Sequence, residues 1–147
     1  MDSKEFKIVF GEIAKENNYL KAFGGWYLES SECLAVLELQ KSTYGDYYML
    51  NIKVFIQGSF DREYHPTKQL IKSPIGDVTK QVIDDILALD RPMSDDLRIE
   101  KLKELFKDTI TPFVSKLMTK RSIIEAESKG EIKLLSSVKK ELEKLLV

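Results

Sequence analysis

"CLAVLELQKSTYGDYYMLNIKVFI", Cys33 to Ile56, is the stretch that decides the fold. Two largely apolar runs flank Gly45-Asp46, a Gly-X dipeptide of the kind a two-residue type II′ hairpin turn takes. That turn sets Tyr44 opposite Tyr47 and pairs residues whose numbers sum to an odd value. Side chains alternate across a strand, so odd positions before the turn share a face with even positions after it. A four-residue loop keeps the same parity. One face therefore carries Cys33, Ala35, Leu37 and Leu39 with Tyr48, Leu50, Ile52, Val54 and Ile56. These apolar side chains, at roughly 1.5–3 kcal/mol each for a large one fully buried, require a cover. The other face mixes Glu38, Gln40, Ser42, Asn51, Lys53 and Gln57 with Leu34, Val36, Tyr47, Met49 and Phe55.

The cover comes from outside the hairpin. Phe6, Val9, Phe10, Ile13 and Leu20 recur at helical spacing, with Asp2 or Ser3 as cap and the glycines of "FGGW" as the stop. Trp26 to Glu29 reads as a first strand, and Gln69 to Lys72 as an edge strand ended by Ser73-Pro74. Asp77 then caps a helix with Val78, Val82, Ile83, Ile86 and Leu87 as its apolar positions. Ser94 opens another, with Leu97, Leu102, Leu105, Phe106 and Ile110 as its buried stripe. Thr111-Pro112 reads as a fresh N-cap with proline at the first helical position. After "SKGE", a last helix over 131–146 presents Ile132, Leu135, Val138, Leu142 and Leu145 on one side. The expected architecture is a single α+β domain. It holds a three- to four-stranded antiparallel meander from about Trp26 to Lys72, with helices from both ends of the chain packed on one face. The last helix is the piece that could be peripheral or exchanged between copies, so the expected state is monomer or homodimer.

Composition narrows the function classes. With 23 basic and 24 acidic residues in 147, the chain has no basic excess, which argues against nucleic acid as a partner. The first residues lack an apolar signal segment, and no apolar run is long enough to span a bilayer, so no membrane role and a cytoplasmic location are expected. Cys33, the one cysteine, sits in an apolar strand pattern and reads as a buried thiol. One histidine and one cysteine cannot supply a zinc site, and no cofactor or metal is expected. Asp84, Asp85, Asp90, Asp95 and Asp96 match no calcium loop; the last two suit a helix N-terminus. There is no phosphate-binding glycine loop and no nucleophile elbow.

Two places remain for function. On the second sheet face, Glu38, Gln40, Asn51 and Lys53 lie close together, framed by Tyr47, Met49 and Phe55. That is either an ordinary solvated face or a contact surface, and its aromatics favour contact. The loop from Gln57 to His65 is the other candidate, with His65 its most chemically versatile residue.

The order of these features resembles a bacterial family known only as a domain of unknown function, number 4304. The likeness lies in Leu20 to Gly24 after the opening helix, in the strand ending Gln40-Lys41-Ser42, in the strand containing Asn51, and in the late Pro112-Phe113 step. It runs from about Phe6 to Ser122. The resemblance implies an α+β domain with no assigned activity and transfers no catalytic residue. The expected function is a non-enzymatic bacterial binding module that engages another protein, with an immunity or toxin-neutralising role as one concrete form. The alternative is a small hydrolase or transferase that gathers His65, Tyr64 and a sheet carboxylate such as Glu38.

Overall fold

The computed structural model describes all residues from Met1 to Val147. Its centre is a five-stranded antiparallel sheet in sequential order. The strands are β1 (Leu20–Ala22), β2 (Gly25–Glu29), β3 (Cys33–Lys41), β4 (Tyr48–Ile56) and β5 (Val78–Val82). The pairing of β3 with β4 runs from Cys33 opposite Ile56 to Lys41 opposite Tyr48. The Ser42 amide donates to the Tyr47 carbonyl, so the connection is the four-residue loop Thr43–Asp46 rather than a tight turn at Gly45-Asp46. Because both loops preserve parity, the two faces are as the alternation predicts. All nine apolar residues of the inner face lie in or against the main core, only Leu39 being half-buried.

Three expectations about which elements form fail, each for an identifiable reason. The first helix, α1 (Ser3–Glu16), ends before Leu20, because Asn18 adopts a left-handed φ of 72°. Leu20 opens β1 instead, and Phe23 and Gly24, at φ 48° and 79°, form the primed turn into β2. Gln69 to Lys72 is not an edge strand. Thr67 caps a short helix there, α2 (Lys68–Ile71), by accepting from the Leu70 amide at 3.2 Å. Conversely, the helix expected after Asp77 is strand β5. Val78 and Val82, four apart, imitate helical spacing, yet both point inward opposite Val54 and Leu50. Lys80, between them on the same face, hides the period of two. Its Nζ lies 4.8 Å from the centre of the Phe113 ring, so even this residue is used on the helix side.

The helices close the inner face. Asp2 caps α1 by accepting from the Glu5 amide at 2.8 Å, and Phe6, Phe10, Ile13 and Ala14 are buried. Ring centres of Phe10 lie 4.9 Å from Trp26 and 5.2 Å from Phe106, linking α1, the sheet and the next helix. That helix is continuous: α3 (Asp95–Leu105) passes through a π turn at Phe106–Ile110 into α4 (Thr111–Ser115). Thr111 is no N-cap, since its amide donates to the Phe106 carbonyl five residues back. The wide turn makes room for Pro112, which has no amide and would crowd a regular α-turn. Leu97 is exposed, and Arg98 takes the inward position in its place. Two helices follow, α5 (Lys120–Ser128) and α6 (Ser136–Leu145). Val138 and Leu142 of α6 enter the main core, while Leu135 stays exposed and Leu134 is buried in its stead. No helix is long and apolar enough to cross a membrane.

Candidate functional site

The second sheet face is not an open surface. Its apolar half, Leu34, Val36 and Phe55, is sealed by Tyr64 and by Ile71 of α2 into a small separate core. Phe55 is thus buried by a cover that the hairpin pattern does not reveal, and it reaches the surface only in the floor of a groove beside Tyr64. Lys53 is also interior, with 0% exposure. Its ammonium donates to Glu38 Oε1 at 3.0 Å and to the carbonyls of Ile71 and Ser73, both at 2.6 Å. All three protons of the ammonium are thus engaged, and two of the bonds hold the end of α2 and the following turn against the sheet. Lys53 is a clamp rather than a contact residue.

Asn51 is buried too, at the centre of a ladder across three strands. It donates to Gln40 Oε1 at 2.9 Å and accepts from Gln81 Nε2 at 3.0 Å. What remains open is a polar trough lined by Glu38, Gln40, Lys72 and Thr79 among others. Tyr47 and Met49 are half-buried and line a different depression, beside Ile83 and Arg91. His65 is exposed in a third, with Arg62 and Glu63. The structure therefore scatters the predicted residues. Glu38, Gln40 and Asn51 stay together, Lys53 and Phe55 are interior, and the remaining three lie elsewhere.

A groove lies beside the candidate loop Gln57–His65, with its other walls from segments that the sequence did not connect to it. It encloses about 600 Å³ between that loop, the Ser73–Asp77 turn and the start of α6. Phe60, Ile75 and Leu135 line it and are 44%, 58% and 64% exposed. The loop is held in a costly shape: Phe60 and Asp61 both have left-handed φ, 54° and 57°. Such residues cost on the order of 1–3 kcal/mol each and persist only where surroundings over-determine them. Here Gln57 brackets Tyr64 through both its amide, at 2.7 Å, and its carbonyl, at 2.9 Å. The Phe60 amide donates to Glu141 Oε1 of α6 at 2.6 Å, and this bond with Lys144 holds the Glu141 carboxyl below its ordinary range.

Asp77 belongs to the lining of the groove. It caps no helix; its Oδ2 accepts from the Ile56 amide at 2.8 Å and from Ser59 Oγ at 2.7 Å. Ser59 Oγ also meets the Tyr64 hydroxyl at 3.0 Å. Burial outweighs those hydrogen bonds and raises the Asp77 carboxyl above its usual value of 3.8. The native state then binds a proton more tightly than the unfolded chain does, so its contribution favours folding at acid pH and is lost as pH rises through the folded-state pKa. Asp77→Asn keeps an acceptor for both donors and removes the charge. Relative to this variant, the wild type is expected to lose stability as pH rises from 4 to 7, read from urea midpoints. A difference that stays constant or changes the other way contradicts the assignment.

The nucleophilic and titratable groups near the groove are held as follows. Ser59 is wholly buried with its hydroxyl committed to Asp77 and Tyr64. Burial pushes the Cys33 thiol up to about 12. His65 and Glu38 line separate depressions, and no group of three His, Cys, Asp or Glu side chains converges on a common point.

Residues 10–116 match the model of a domain of unknown function (DUF4304). The chain belongs to that family. No curated protein and no solved structure matches it. The DUF4304 match takes in the whole sheet, the Lys53 clamp, Asp77 and the long helix through α4, but neither α5 nor α6. The α6 wall of the groove is thus formed by chain outside the matched segment.

Proposed function

We propose that this DUF4304 protein is a non-enzymatic binding module of the bacterial cytoplasm that engages another protein through the groove beside Asp77. One observation carries this reading: Phe60, Ile75 and Leu135, from three separate segments, stand exposed around one depression. Isolated exposed apolar residues are ordinary, whereas a cluster of them marks a contact site. The strained backbone at Phe60 and Asp61 supports the same reading, since it holds the Phe60 side chain at the rim. An immunity or toxin-neutralising role suits a rigid surface of this size, because such a role asks only for tight occlusion of a partner.

The test is a photo-crosslinking amino acid placed at Leu135 or, separately, at Gln40, in cells that carry the protein natively. The Leu135 position is expected to give a discrete adduct that Phe60→Asp abolishes. No adduct, or the same adducts from Gln40 on the polar trough, contradicts the proposal.

A further inference from the structure

On the opposite side of the molecule, α1 carries a glycine in its interior, where glycine disfavours the helix relative to alanine. The reason is close approach: a Cβ on Gly11 would stand 3.1 Å from Trp26 Nε1 and 3.3 Å from Trp26 Cζ2. The indole edge lies directly against the helix at the missing side chain. Its N–H has no hydrogen-bond partner within the protein, and it lines a depression of about 390 Å³. Lys7, Gly11 and Lys15 line the same depression from successive turns of α1, and Lys21 lines it from β1. Lys21 pairs directly across from Trp26, which puts both side chains on the helix side of the sheet. None of these three lysines is in an ion pair, and Glu12 is the only carboxylate in the lining.

The remaining wall is apolar and has a polar deficit. Ile8 is exposed at the rim. Tyr19, also in the lining, is 3% exposed, and its hydroxyl is the one buried side-chain polar atom in the chain without a hydrogen-bond partner. That hydroxyl is sealed off from the depression as it is from solvent, so it offers an occupant no donor.

We infer that this depression between α1 and β1 is a binding site for a small organic carboxylate with a flat apolar body. The carboxylate would meet the lysine ammonium groups and the indole N–H, and the body would lie against Ile8 and Trp26. Charge complementarity sets the class: Lys15 and Lys21, neither in an ion pair, outnumber the single carboxylate Glu12 and reject an amine of the same shape, while the Lys7 ammonium lies over the Tyr48 ring, 5.6 Å from its centre. The site is independent of the groove beside Asp77.

Trp26 is the only tryptophan, so its fluorescence reports on this site alone. The full-length protein is titrated with 4-phenylbutyrate and, in parallel, with 4-phenylbutylamine. The carboxylate is expected to shift the emission with a midpoint at or below about 1 mM, the amine at least about tenfold more weakly. Lys15→Gln combined with Lys21→Gln is expected to weaken carboxylate binding by at least about tenfold in a protein that still unfolds cooperatively in urea. Gly11→Ala, which fills the space against the indole and favours the helix, is expected to abolish the shift in a folded protein. No shift up to 10 mM, equal response to the amine, or full binding by the double lysine variant overturns the inference.

Discussion

Lys53→Met is expected to lower folding stability by about 3 kcal/mol, the lower end of the range for removing one partner of a buried ion pair. Methionine keeps most of the buried stem but donates nothing. The carbonyls of Ile71 and Ser73 then lose the donor they meet at 2.6 Å, and Glu38 keeps a half-buried carboxylate without its cation. Unsatisfied buried acceptors cost roughly 1–3 kcal/mol apiece, and partial exposure of Glu38 limits its share. The loss should appear as a lower urea midpoint at unchanged slope, because the native surface area hardly changes. Glu38→Gln, which retains an acceptor, should cost no more than about 1 kcal/mol. A Lys53→Met protein within 1 kcal/mol of wild type would show that α2 does not depend on this clamp.

Arg98→Ala is the second large expected loss, also about 3 kcal/mol. The guanidinium is buried, with Nη1 donating to the Ile86 and Ala88 carbonyls at 2.7 and 3.1 Å and Nη2 to the Arg91 carbonyl at 3.0 Å. It therefore pins the connection after β5 onto α3. That connection in turn supports the β3–β4 loop, through the pairing of Tyr47 with Ala88 and the Asp90 amide donating to the Asp46 carbonyl at 3.1 Å. Loss of Arg98 should speed amide exchange at Asp90 selectively. Arg98→Lys should fall between, because a single ammonium cannot reproduce a fork that spans three carbonyls. Uniform exchange across the sheet, or a full rescue by lysine, would contradict this role.

The parts of the fold that were legible are those set by alternation. Leu37 and Ile52 turn inward together because strand periodicity allows nothing else once their pairing parity is fixed. Strand β5 was obscured because Val78 and Val82 satisfy both a helical and a strand period, and Lys80 removed the apolar residue that would separate them. Lys53 and Phe55 were placed on the correct face, but nothing in the hairpin announces the cover: α2 is only four residues long and supplies Ile71 from outside it. Arg98 was invisible next to Leu97, since a charged residue was expected to face water. The groove residues Phe60, Ile75 and Leu135 are far apart in sequence and meet only through tertiary packing. The loop Gln57 to His65 was a candidate in the sequence, and it supplies Phe60 and Tyr64 to one wall; Asp77 read only as a helix cap.

The polar side of the sheet is fastened from within, its Lys53 ammonium spent on Glu38 and on the carbonyls of Ile71 and Ser73. Lysine-selective acetylation of the native protein, followed site by site by mass spectrometry, tests this directly. Lys53 is expected to stay unmodified under conditions that fully label its exposed neighbours Lys72 and Lys80, and to label only on unfolding. Acetylation of Lys53 in the folded protein at the rate of Lys72 would contradict the account.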